Sequence, residues 1–138
     1  MAGERQEMSS SPLFGHEKLA VFQRSITFTK EIYRLTRNLP ADERFGSTGQ
    51  FRPAAASIGH NIAEGNGRLH PEDRCRFLEV AYESPLETVA QLTLAVQLEF
   101  LSREQTESVR SEAEEIARMI SRLRKRCLQD ATVDSPRT

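Results

Sequence analysis

Apolar residues recur along most of the chain at intervals of three and four, the spacing that stacks side chains on one face of an α-helix. Four such runs predict four helices. In the first, from about Glu17 to Asn38, Val21, Phe28, Ile32 and Leu35 mark one stripe, and Leu19, Phe22, Ile26 and Tyr33 mark a second beside it. That face is wider than a two-helix seam needs and suits burial against several neighbours. Leu39-Pro40 ends the run, because proline disfavours helical backbone in the residue before it. The second run begins near Gly49 and ends at Gly65, which tolerates the left-handed conformation common just past a helix end, with Gly67 supporting the break. Pro53 then sits in the first turn, where its missing N–H costs little; an earlier start would place it inside the helix and kink it.

His70-Pro71-Glu72-Asp73 opens the third run, since proline suits a first turn and acidic residues complement the positive end of the helix dipole. It reaches about Leu101, with Tyr82, Leu86, Val89, Val96 and Phe100 on one stripe and Leu78, Ala81, Leu92 and Ala95 on its neighbour. The pattern stays in phase across Pro85, which predicts a bend rather than two helices. Ser102-Arg103-Glu104-Gln105 reads as a capping box. Beyond it Val109, Ala113, Ile116, Ile120, Leu123 and Cys127 form the cleanest heptad in the chain. Short connections imply antiparallel neighbours, so the predicted fold is an all-α, antiparallel up-down-up-down four-helix bundle. Its expected extent is residues 16–129, with flexible polar tails over 1–15 and 130–138.

At 138 residues the chain fits one domain, which buries roughly two thirds of the surface its unfolded form exposes. The formal charge of -1 gives no global pull towards nucleic acid or anionic membrane, so any such binding is local. The polar start lacks the apolar segment of a secretory signal, and charges interrupt every hydrophobic stretch. A soluble, cytoplasmic protein with no membrane partner is expected. Cys75 and Cys127 lie far apart, without a Cys-x-x-Cys unit, and read as reduced thiols.

Between Gln50 and Arg68 two stripes run side by side. Phe51, Ala55, Ile58 and Ile62 are apolar; Ser57, Asn61, Glu64 and Arg68 repeat at the same spacing and are polar. Polar groups in register beside an apolar seam point to hydrogen bonds held between packed helices. Ser84 and Glu87 are candidate partners from the third helix, and Arg68 can pair with Glu64 four residues away. The sharper alternative is that Asn61, Glu64 and Arg68 recognise a ligand. The Asn61-Ile62-Ala63-Glu64-Gly65 core, with Gln50-x-Arg52 before it and Arg68 after it, resembles the bacterial four-helix bundle proteins. These include proteins encoded in intervening sequences of large-subunit ribosomal RNA genes. The resemblance spans roughly residues 18 to 128, and Pro53 departs from it where relatives often carry a second arginine. It implies a homo-oligomer, since relatives form ring-shaped pentamers. The family is also similar to accessory proteins of diversity-generating retroelements, which are basic, bind nucleic acid and contact a reverse transcriptase.

Catalytic chemistry finds no support in the residues. A carboxylate-bridged metal pair in a bundle needs Glu-x-x-His on two helices, yet Leu13, Ser57 and Gly67 precede His16, His60 and His70 by three. His60 and Glu64 are two ligands, short of a metal site. Cys75 and Ser57 lack a base, and Gly65-Asn66-Gly67 is punctuation rather than a phosphate-binding loop. No catalytic residue, metal, cofactor or small-molecule substrate is expected. The fourth helix is polarised: Glu104, Glu107, Glu112, Glu114 and Glu115 occupy its first half, and Arg118, Arg122, Arg124, Lys125 and Arg126 its end. This complements the helix dipole, or makes a phosphate-binding patch. Arg24, Lys30, Arg34, Arg37, Arg44 and Arg52 would extend the patch if their faces align. Few aromatics interleave the cations, which leaves duplex DNA or structured RNA as the form of nucleic acid. The expected function is a non-enzymatic, oligomeric accessory protein that binds nucleic acid or a nucleic-acid-processing partner. The alternative is a purely protein-binding or structural oligomer.

Overall fold

Residues 15–40 and 47–134 are described by the computed structural model, and side chains from 20–40 and 50–132. Among the described residues four helices appear: α1 Gly15–Thr36, α2 Ser47–Asn66, α3 Pro71–Gln97 and α4 Arg103–Asp134. Each packs on the next and α4 closes against α1, whereas the diagonal pairs α1/α3 and α2/α4 do not approach closely. Neighbours are antiparallel. Thr29 of α1 reaches the Ala55 carbonyl of α2 and Arg52 reaches back to Thr36. Ser84 of α3 meets Ser57, and in α4 Arg110 meets Thr93 while Arg124 faces Glu79. The up-down-up-down bundle is therefore the observed fold. Residues 1–14 and 135–138 of the expected tails lie outside the described residues, and α4 runs on past Gln129, where the bundle was expected to end.

One apolar stripe of each expected pair fills the core. Val21, Phe28, Ile32 and Leu35 of α1 and Leu78, Ala81, Leu92 and Ala95 of α3 are buried, as is the whole α4 heptad. The companion stripes turn outward. Ile26, Tyr33 and Leu86 are exposed, and Phe22, Tyr82, Val89, Val96 and Phe100 are only partly covered.

The capping box forms as expected: the Gln105 N–H donates to Ser102 Oγ at 3.1 Å and the Ser102 N–H donates to Gln105 Oε1 at 2.8 Å. Helix α3 ends earlier than the pattern suggests, because Phe100 N–H bonds the Ala95 carbonyl and Glu99 N–H bonds that of Val96. These paired bonds define a Schellman turn, with Glu99 at φ 65° in the left-handed position. Two glycine and proline expectations change. Gly65 lies inside α2, and a Cβ there would sit 3.1 Å from Phe77 Cβ, so this glycine admits α3 rather than reversing the chain. Because α2 starts at Ser47, Pro53 is an interior, exposed residue that deprives the Gly49 carbonyl of its helical donor.

Candidate functional site

The polar stripe of α2 divides in two. Asn61 is 9% exposed, and its Nδ2 donates to the Ser57 carbonyl and to Ser57 Oγ, both at 2.8 Å. Ser84 Oγ donates to Ser57 Oγ at 3.0 Å, and Thr88 Oγ1 continues the chain to the Ser84 carbonyl at 2.9 Å. These groups satisfy one another inside the α2–α3 seam, which fixes helix register and leaves little to offer a ligand. Glu87 is exposed and takes no part. One helical turn on, Glu64 and Arg68 reach solvent. They form a 3.5 Å ion pair, and the Arg68 guanidinium stacks 4.7 Å from the Phe77 ring centroid. At the end of the same helix Asn66 Oδ1 is buried without a hydrogen-bond partner.

The cations of α4 occupy its outer side. Arg118 and Arg122 share Glu115, at 3.1 and 3.8 Å, and Arg124 lies 3.9 Å from Glu79 of α3. Lys125 and Arg126 are exposed. Between Glu115 and Asp130 the helix carries five cations and no carboxylate. The proposed extension from the first half of the chain does not assemble here. Arg24 is clamped by both oxygens of Glu112, at 2.8 and 2.7 Å, and ties α1 to α4. Arg34 pairs with Glu31 within α1. Arg52 donates to Thr36 Oγ1 and the Tyr33 carbonyl and stacks 4.5 Å from the Tyr33 ring, so it caps the end of α1. Lys30 and Arg37 are exposed, but antiparallel packing sends them towards the acidic start of α4. Arg44 lies outside the described residues.

An arginine at this end of the bundle escaped the sequence reading. Arg74 of α3 donates to the Arg68 and Leu69 carbonyls at 3.1 and 2.8 Å and, with Arg124, lies close enough to Cys75 to favour its ionised form. Only the antiparallel packing of α3 on α4 brings Arg74 and Arg124 to one end of the bundle, so no local signal announced it.

An apolar groove of about 370 Å³ runs between α1 and α2, lined by Phe22, Ser25, Ile26, Thr29, Lys30, Ala56, Gly59, His60 and Ala63. The outer side of α3 carries exposed Val80, Leu86, Leu94 and Leu98 among Glu79, Glu83 and Glu87. Among the described residues no three His, Cys, Asp or Glu side chains gather as a metal site, and no helix is long and apolar enough to cross a membrane.

A family model described as 23S rRNA-intervening sequence protein matches residues 17–122. The chain is also similar to a crystal structure from Bacteroides thetaiotaomicron, titled a protein with unknown function from the S23 ribosomal protein family. The two share 27% identity with a TM-score of 0.73, over 79% of this chain and 98% of that one. No curated protein matches the sequence.

Proposed function

The chain belongs to the 23S rRNA-intervening sequence protein family, and from that premise we propose that it is a cytoplasmic, non-enzymatic, self-associating bundle that holds nucleic-acid phosphates on the outer stripe of α4. The observation that carries this reading is the stretch between Glu115 and Asp130, which holds Arg118, Arg122, Arg124, Lys125 and Arg126 and no carboxylate in its sequence. Glu115 and Glu79 offset part of that charge, so a single copy binds weakly. Repeating the stripe in a homo-oligomer raises avidity without any new contact. The outward stripes of α1 and α3 support self-association. The α1–α2 groove is apolar with Lys30 and His60 at its rim, and the ridge of Val80 and Leu86 on α3 is flanked by Glu79, Glu83 and Glu87. Groove and ridge lie on different sides of the bundle, which favours head-to-tail contact and ring closure, as in a pentamer. Two buried free thiols suit a reducing compartment.

A second reading is favoured by the same groove: the protein joins only proteins, itself or another, and α4 is charged for solubility. Fluorescence anisotropy with structured RNA and duplex DNA, at low and near-physiological salt, separates the two. Saturable binding that weakens steeply with salt and disappears when Arg122, Arg124, Lys125 and Arg126 are changed to alanine is the expected result. Absence of binding at low salt would leave the protein-binding oligomer.

A further inference from the structure

Cys75 and Cys127 are far apart in sequence and meet in the fold. Cys75 lies in the second turn of α3 and Cys127 late on α4; they are 7% and 3% exposed, and both are free. Cys127 Sγ donates to the Pro71 carbonyl at 3.5 Å, one turn before Cys75 on the same face of α3, which brings Cys127 near enough to help hold the Cys75 proton in place. We propose that Cys75 and Cys127 are a peroxide-oxidised dithiol, a modification site that closes an intrachain disulfide between the start of α3 and the last turns of α4.

The surroundings suit a slow, selective reaction. Burial and the neighbouring thiol push the Cys75 group up to about 12, against the pull of Arg124 and Arg74, so little thiolate is present at neutral pH. Hydrogen peroxide is small and uncharged enough to reach sulfurs this enclosed. One thiol loses its proton and its sulfur attacks a peroxide oxygen; the O–O bond breaks, leaving a sulfenic acid, and the released hydroxide takes the proton to become water. The second sulfur then attacks the sulfenic sulfur, the S–O bond breaks, and the departing hydroxide takes the second thiol's proton. Two thiols lose two electrons and one peroxide becomes two waters. The adjacent second thiol intercepts the sulfenic acid before another peroxide can carry it to sulfinic acid.

The bond would close the α3–α4 hairpin at the end opposite its connecting turn and fix the segment that bears Lys125 and Arg126. This inference does not depend on nucleic-acid binding.

The test exposes the reduced, full-length protein to hydrogen peroxide, alkylates remaining thiols, and follows intact mass and a non-reducing peptide map. The expected product has lost two hydrogens, resists alkylation at both cysteines, yields a Cys75–Cys127 cross-linked peptide from a monomeric band, and returns to the dithiol on reduction. Its thermal midpoint should exceed that of the reduced protein. Independent oxygen uptake by each cysteine, a disulfide between chains, or two thiols still open to alkylation would overturn the proposal. Cys75→Ala and Cys127→Ala should each abolish the cross-link; the wild-type map decides the matter even if neither variant folds.

Discussion

A Cβ placed on Gly59 of α2 falls 2.9 Å from Ser25 Oγ of α1, so this glycine sets how closely the two helices lie. Ser25 is 1% exposed and its hydroxyl donates to the Phe22 carbonyl at 2.6 Å; it cannot swing aside without losing that bond. Gly59→Ala gains up to about 1 kcal/mol of helix propensity, but overpacking costs about 1–3 kcal/mol. A net loss of about 1 kcal/mol is expected by urea denaturation. Removing the obstructing oxygen as well, in Ser25→Ala/Gly59→Ala, should recover part of that loss, a coupling that unrelated sites would not show.

Glu99 occupies the left-handed position of the α3 Schellman turn at φ 65°. A side chain there costs roughly 1–2 kcal/mol, and glycine removes that cost while adding freedom to the unfolded chain. Glu99→Gly should raise stability by about 0.5–1 kcal/mol, read as a higher denaturation midpoint. Glu99→Ala retains the Cβ and should bring no such gain.

Cys75 ties stability to alkaline pH. Its group stands at about 12 in the folded protein against an ordinary value of 9.0. Between those values the unfolded chain releases a proton that the folded chain retains, so the contribution is complete below about pH 9 and is lost as pH climbs towards 12. Reduced wild-type protein should therefore lose thermal stability more steeply than Cys75→Ala over pH 9 to 11. Parallel curves for the two would show that this thiol is not linked to folding.

The fold was legible because its signals are local. The α4 heptad, the Ser102–Gln105 box and the Pro71 start each rest on residues within a single helix or its cap, and each stands where the spacing put it. Ser84 and Glu87 were equal candidates as partners for the α2 stripe; Ser84 joins it in the buried seam, whereas Glu87 is exposed. What stayed hidden depends on packing between distant segments. Gly65 signals a helix end in sequence, but the approach of Phe77 explains it. Periodicity gave α1 and α3 two apolar stripes each without saying which would face the core. Arg24 looked like an available cation until Glu112, on another helix, was seen to hold it. The meeting of Cys75 with Cys127 follows from the antiparallel register of α3 and α4 and from nothing nearby in the chain.

That division between buried and exposed halves makes the α2 stripe testable residue by residue. Asn61→Ala removes two hydrogen bonds inside the α2–α3 seam and leaves Ser57 Oγ with one partner fewer, so a loss of about 1–2 kcal/mol is expected. Glu64→Ala gives up one long, exposed ion pair and should stay within about 0.5 kcal/mol of wild type. Arg68→Ala also forfeits the stack on Phe77, worth about 0.5–1 kcal/mol at an exposed site, and should fall between them. Chemical denaturation of the three variants should thus give a cost that is largest inside the seam, intermediate at Arg68 and smallest at Glu64. Equal losses at Asn61 and Glu64 would mean that the stripe acts as one structural unit. A Glu64→Ala protein of unchanged stability that fails to bind a partner held by the wild type would assign the exposed end of the stripe to recognition.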